Sequence, residues 1–302
     1  TGGCGPESRS TSYRKERLSF VYPLLPYIEQ TAIYDNIKGR LDSNGSCDWI
    51  WYGGANTPSV APVSIFACPS DTSAVVPQGQ LQRINYRLNW GDIVSNCDSN
   101  TVRSPFRHGN TETSNFGTLT DGTSNTIALA EAPVTTEYGP NPGVKRGVAE
   151  LGIDGDGSTV AGLCLAKKKA DGTVDSSITG NSSRPDLFLG RRVYDGLMPA
   201  TGVNFILQPN SPFCGYASAP LNATYSGFYG TGSFHTGGVN VVLCDGSVRF
   251  VSDTVDAGDP NQNPRTATGI SSGNLWASSF ASIYGVWGAA ATPGSGESKQ
   301  LP

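Results

Sequence analysis

The spacing of apolar and polar positions changes several times along the chain. Leu25, Ile28, Ala32, Ile33 and Ile37 recur at helical intervals and predict a short amphipathic helix over residues 26–38. Val63, Ile65 and Ala67 alternate with Ser64 and Phe66, predicting a short strand that ends at Cys68-Pro69-Ser70-Asp71. Further strands are predicted over 84–90, 126–131 and 203–207. The second of these runs, 126–131, would suit a helix by composition, but Asp121-Gly122 and Ala132-Pro133 bound it tightly and favour a strand. The clearest signal lies at 239–251. Two β-prone runs flank Asp245-Gly246, which predicts a hairpin closed by a type I′ turn with Gly246 at positive φ. Trp276, Phe280, Ile283 and Tyr284 predict a last helix, capped by Asn274 in front and Gly285 behind. Residues 1–18 and the Gly/Ser/Pro tail at 292–302 are predicted to be flexible. With no internal repeat and no clear linker, residues 1–302 read as one domain. The expected fold is α+β, mainly antiparallel β, with short helices and large loop insertions at 39–60 and 140–230.

Composition sharpens this picture. Among 302 residues there are 38 Gly and 20 Pro, and charged residues make up only 15% against an ordinary ~25%. Abundant turn-formers and few charges fit a loop-rich extracytoplasmic protein. A net charge of −4 argues against nucleic acid as a partner. Seven cysteines occur and none forms a CxxC, so a zinc ribbon or thioredoxin-type motif is absent. Cys47 and Cys97 lie in polar loops and are the first-choice disulfide pair, while Cys244 reads as a small buried hydrophobe. No apolar run approaches the ~20 residues of a membrane-spanning helix. The chain opens on Thr, which suggests a processed or truncated product.

The chemistry-bearing residues are few. Only His108 and His235 are histidines, so a three-histidine zinc site is excluded. His235 and Asp245 sit at opposite ends of one predicted strand, up to ~33 Å apart, and cannot pair along it. The favoured reading has His235 hydrogen-bonding its own Gly-rich loop and Asp245-Gly246 making the turn. Asp154, Asp156 and Ser158 place oxygens at alternate positions, as calcium loops do, yet Thr159 and Leu165 stand where an EF-hand needs Gly and Glu. A surface turn is favoured over a Ca²⁺ site there, and no other cofactor is expected. Gly269-Ile270-Ser271-Ser272-Gly273 has the G-x-S-x-G form, but no good strand precedes it and both histidines come before it, against the order of that hydrolase class. Lys167, Lys168 and Lys169 read as a solvated loop. Trp49, Trp51 and Tyr52 could stack on sugars but more simply cover a loop over the core.

Several segments together resemble one bacterial family. They are Leu24-Leu25-Pro26-Tyr27-Ile28-Glu29-Gln30, Phe66-Ala67-Cys68-Pro69-Ser70-Asp71, Asn85-Tyr86-Arg87-Leu88-Asn89, and the run from Thr120 to Glu131. A fifth segment begins Phe234-His235-Thr236-Gly237-Gly238-Val239-Asn240 and ends Asp245-Gly246-Ser247-Val248-Arg249-Phe250, with nine residues between His235 and Asp245. These features resemble the pseudopilin-like domain of unknown function that is abundant in planctomycete-type bacteria. The resemblance implies a pilin-like head domain whose N-terminal apolar helix, absent here, would anchor the full-length form in the inner membrane. It implies self-association or contact with other pilin-like subunits, and it carries no catalytic residues. His235, Asp245 and Gly246 enter only as signature residues. The expected role is a structural subunit of a filament or of a type II secretion or type IV pilus-like apparatus, on the periplasmic side, at the surface or secreted. A carbohydrate- or protein-binding module is the alternative and a secreted hydrolase the third reading; the chain is not expected to be an enzyme.

Overall fold

Asp-Gly between two β-prone runs does build a hairpin. Strand β7 (Gly238–Leu243) pairs antiparallel with β8 (Val248–Ser252), with Val239 opposite Val251 and Val241 opposite Arg249. The turn differs from the expected one. Gly246 lies at φ 85, but Asp245 is not at positive φ. The Gly246 N–H donates to the Leu243 carbonyl and the Leu243 N–H to the Ser247 carbonyl. This is a type I turn followed by a glycine bulge, which needs left-handed backbone at one residue only. Asp245 stabilises it by accepting from the Ser247 N–H and hydroxyl at 2.9 and 2.6 Å.

The computed structural model describes residues 18–42, 50, 57–77, 79–95, 103–106, 115–137, 141–153, 157–175, 189–215, 226–272, 275, 280–294 and 301. The hairpin ends a five-stranded sheet. Its other members are β1 (Tyr86–Asn89), β2 (Ile127–Glu131) and β4 (Gly202–Val203), in the order β4-β1-β2-β7-β8. A three-stranded sheet holds β3 (Val148–Glu150), β5 (Phe213–Gly215) and β6 (Gly227–Phe228), in the order β3-β5-β6. The fold is α+β. The mainly antiparallel expectation holds in part: the β1/β4 and β3/β5 pairs are parallel, and helix (23%) exceeds strand (17%). Parallel neighbours need long crossovers, and the segments between these strands supply them.

Both expected central strands form, but four expected elements change. Burial in the 63–67 run follows i, i+3: Val63 and Phe66 are inside and Ile65 is 61% exposed, so Ser64–Phe66 is a 3-10 turn, not a strand. The 26–38 helix is broken in two. Leu25–Ile28 is 3-10, Glu29 turns left-handed at φ 62, and the α-helix runs Thr31–Asp42. The 203–207 run is buried, yet it is strand only at Gly202–Val203, because Phe205 and Ile206 enter two different core clusters. The last helix is Gly285–Ala289, so Gly285 opens it instead of closing it. A Cβ at Gly285 would meet Asp256 at 2.5 Å, and its φ is 62. Trp276 and Asn274 lie outside the described residues.

The main core lies on the inner face of the large sheet. Ile127, Val203, Phe205, Val239, Val241, Leu243, Val251 and Trp287 pack there, with Phe205 edge-on to Trp287 at 4.8 Å. Leu301 joins this core and Thr292 is buried, so the C-terminal tail is held at both points. The N-terminal helical segment packs Val21, Leu25 and Ile37 against Phe66, Ile84 and Tyr194. Around the small sheet, Cys164 and Cys214 form a disulfide with Cα atoms 5.8 Å apart. Cys47 and Cys97, the expected pair, lie outside the described residues.

Candidate functional site

Cys68 opens a turn in which the Asp71 N–H donates to the Cys68 carbonyl at 3.0 Å. The Cys68 N–H donates to Asn85 Oδ1 at 2.8 Å, which ties the turn to the start of β1. Asp71 is buried and its carboxylate collects four donors. Asn85 Nδ2 and the Val134 N–H reach Oδ2 at 2.8 and 2.9 Å; Arg146 and the Ser73 N–H reach Oδ1 at 2.6 and 3.1 Å. Arg146 also lies over the Phe234 ring, 4.1 Å from its centroid. One salt bridge and one cation–π contact thus connect the Cys68 turn to the loop that carries His235. That loop is fixed from inside, since the His235 N–H donates to Ser233 Oγ at 3.1 Å and Ser233 Oγ donates to the Gly238 carbonyl at 2.7 Å.

Glu131, the last residue of β2, stands opposite Tyr86 of β1. Its Oε2 accepts from the Asn240 N–H at 2.8 Å and from Asn240 Nδ2 at 3.1 Å. Oε1 is left to face His235 Nε2 at 3.4 Å. The same Nε2 lies 3.6 Å from Cys68 Sγ. Thiol, imidazole and carboxylate donor atoms all fall within 4.8 Å of one another. The Tyr86 phenol is pushed up to about 12, first by burial and then by the charges of Cys68 and Glu131. Cys68 and Glu131 are buried, whereas the His235 side chain is 37% exposed.

This arrangement can bind a proton or a soft-borderline cation. It is poorly arranged for nucleophilic catalysis. A thiol–imidazole–carboxylate relay uses the two ring nitrogens separately, one for the nucleophile and one for the orienting acid. Here a single nitrogen faces both.

His235 and Asp245 stay apart, as the strand length requires: Asp245 serves the turn and its carboxyl is held below the usual range by Ser247. His235 does bond its own loop, but its ring reaches Cys68 and Glu131, a contact between distant segments that strand spacing does not reveal. Cys68, Glu131 and Tyr86 carried no site expectation. Their only signal is that each lies in one of the family-like segments. Ser158 is described, while Asp154, Asp156, His108, Trp49, Trp51 and Tyr52 lie outside the described residues. Ser271 follows the helix Pro264–Thr268, closed by Gly269 at φ 70, so no strand precedes the G-x-S-x-G string. Cys244 is half-buried, its thiol pushed up to about 11 by burial and the nearby Asp245.

Comparison with curated proteins and with solved structures found no match. A family model described as a protein of unknown function (DUF1559) matches residues 2–258, and the chain belongs to that family.

Proposed function

We propose that this chain is a structural subunit of a pilin- or pseudopilin-like assembly outside the inner membrane, and that it is not an enzyme. The observation that carries the reading is strand β8. It lies at the edge of the large sheet, and no described strand pairs with its outer side. Val248 and Phe250 on its solvent face are 63% and 51% exposed. Monomeric proteins usually blunt such edges with charge, proline or a covering loop. An open edge beside exposed apolar side chains suits contact with a second copy of the chain or a related subunit. The Cys164–Cys214 disulfide supports an oxidising compartment. Among the described residues no helix is long and apolar enough to cross a membrane; in this reading an N-terminal apolar helix of the kind the family resemblance implies would provide attachment. The single-nitrogen geometry of His235 supports the absence of catalysis.

Sedimentation velocity from micromolar to millimolar protein tests the assembly role. The expected result is concentration-dependent association that Phe250→Lys abolishes without changing the fold. A strictly monomeric parent chain refutes the role of β8. Turnover in a glycosidase, esterase and protease screen, lost in a normally folded His235→Ala variant, refutes the non-enzymatic reading.

A further inference from the structure

We propose that Cys68, Glu131 and His235 form a binding site for one divalent cation of the zinc class. The site goes beyond the structural-subunit reading and does not depend on it.

The geometry is the first support. In a tetrahedral zinc site with Zn–S of ~2.3 Å and Zn–N and Zn–O of ~2.0–2.1 Å, neighbouring ligand atoms stand ~3.6 Å apart for S to N and ~3.3 Å apart for N to O. The observed separations are 3.6 Å from Cys68 Sγ to His235 Nε2 and 3.4 Å from His235 Nε2 to Glu131 Oε1. Two tetrahedral edges are therefore already in place, and the third ligand pair lies within 4.8 Å. One imidazole nitrogen aimed between a thiol and a carboxylate is awkward for a relay. It is the arrangement expected around a shared central ion.

The donor set is the second support. Thiolate, imidazole and carboxylate together suit zinc, whereas calcium and magnesium take oxygen ligands. A thiolate and a carboxylate also neutralise a doubly charged ion in a mostly buried position. Binding releases the thiol proton to solvent as the Zn–S bond forms.

The third support is the surrounding shell. Asn240 holds Glu131 Oε2 by two hydrogen bonds and so turns Oε1 toward the site. Asn85 Oδ1 accepts from the Cys68 N–H at 2.8 Å and so fixes the backbone beside the thiol. Outer partners of this kind orient metal ligands. His235, the one exposed ligand, provides the entry side. The ion would join two loops whose ligands are 167 residues apart to the end of a central strand.

The test uses the full chain stripped with chelator, then titrated with Zn²⁺ against a chromophoric competitor and with Co²⁺ by absorption spectroscopy. The expected result is a Zn²⁺ ion whose binding is lost in Cys68→Ser, together with a sulfur-to-cobalt charge-transfer band and tetrahedral d–d bands. Cys244→Ser should behave as the parent, and Asn240→Ala should weaken binding by about 10–100-fold. His235→Ala removes the exposed ligand and leaves the buried hydrogen bonds of Glu131 in place. It should keep the parent's fold by circular dichroism but lose both the bands and the Zn²⁺-induced rise in Tm. A parent chain that takes up no Zn²⁺, or a Cys68→Ser variant that binds as tightly as the parent with the same cobalt spectrum, overturns the proposal and leaves a hydrogen-bonded cluster only.

Discussion

Replacing Asp71 with alanine should be among the most damaging single changes in the described structure. The carboxylate is buried and accepts from Asn85, Val134, Ser73 and Arg146. Removing it leaves the buried Val134 N–H without its acceptor. Asn85 keeps its bond to the Ala132 carbonyl, and Arg146 keeps a 3.2 Å bond to the Val134 carbonyl. Arg87 suffers at a distance. It is fully buried, burial pulls it down to about 9, and the charge of Asp71 opposes that fall. Two of its nitrogens, Nε and Nη1, have no hydrogen-bond partner, so loss of the nearby negative charge leaves it still less compensated. Removing one member of a buried ion pair costs about 3–5 kcal/mol, and the partly solvated Arg146 places this case near the lower end. At roughly 2–3 °C per kcal/mol for a chain of this size, Tm should fall by about 6–12 °C. Asp71→Asn should cost less, because it keeps the shape and one acceptor. Thermal melts and urea titrations of both variants, with an Arg146→Met double-mutant cycle, measure the effect. A D71A variant melting within about 1 °C of the parent, or a cycle with no coupling between positions 71 and 146, would show that this network does not hold the fold.

Gly246→Val should destabilise the hairpin by more than about 1 kcal/mol, because a β-branched residue is forced to φ 85; no atom lies within 4 Å of its Cβ, so a Gly246→Asn variant should recover most of the loss in a thermal melt. The Cys164–Cys214 bridge closes a loop with a sequence separation of 50, worth about 4 kcal/mol in the chain-entropy account; the Cys164→Ala/Cys214→Ala double variant should melt well below the parent, and a peptide map without this cross-link would refute the pairing.

Much of the local architecture is legible in the sequence. Asp245-Gly246 marks its hairpin because a tight reversal needs left-handed backbone within a few residues, and the bounded runs at 84–90 and 126–131 become β1 and β2. The two-histidine count limits the chemistry before any folding is considered. Even local readings fail where burial answers to distant packing. Ile65 is apolar but exposed, because Phe66 three residues after Val63 faces the core. Gly285 opens a helix, because the backbone of Asp256 passes too close for a side chain.

Tertiary structure alone decides the candidate site. Cys68 lies in a turn, Glu131 at a strand end and His235 in a loop, and within its own segment each reads as ordinary turn or strand chemistry. They meet because the β1/β2 register sets Glu131 opposite Tyr86, and because the Asp71–Arg146–Phe234 contacts connect the Cys68 turn to the His235 loop. The disulfide partner is decided the same way. Seven cysteines announce that a bridge is worth expecting, but Cys164 finds Cys214 only when its short helix packs against β5. Turn chemistry acts over a few residues and is written locally, whereas side chains 167 apart meet only through the strand pairing and packing of everything between them.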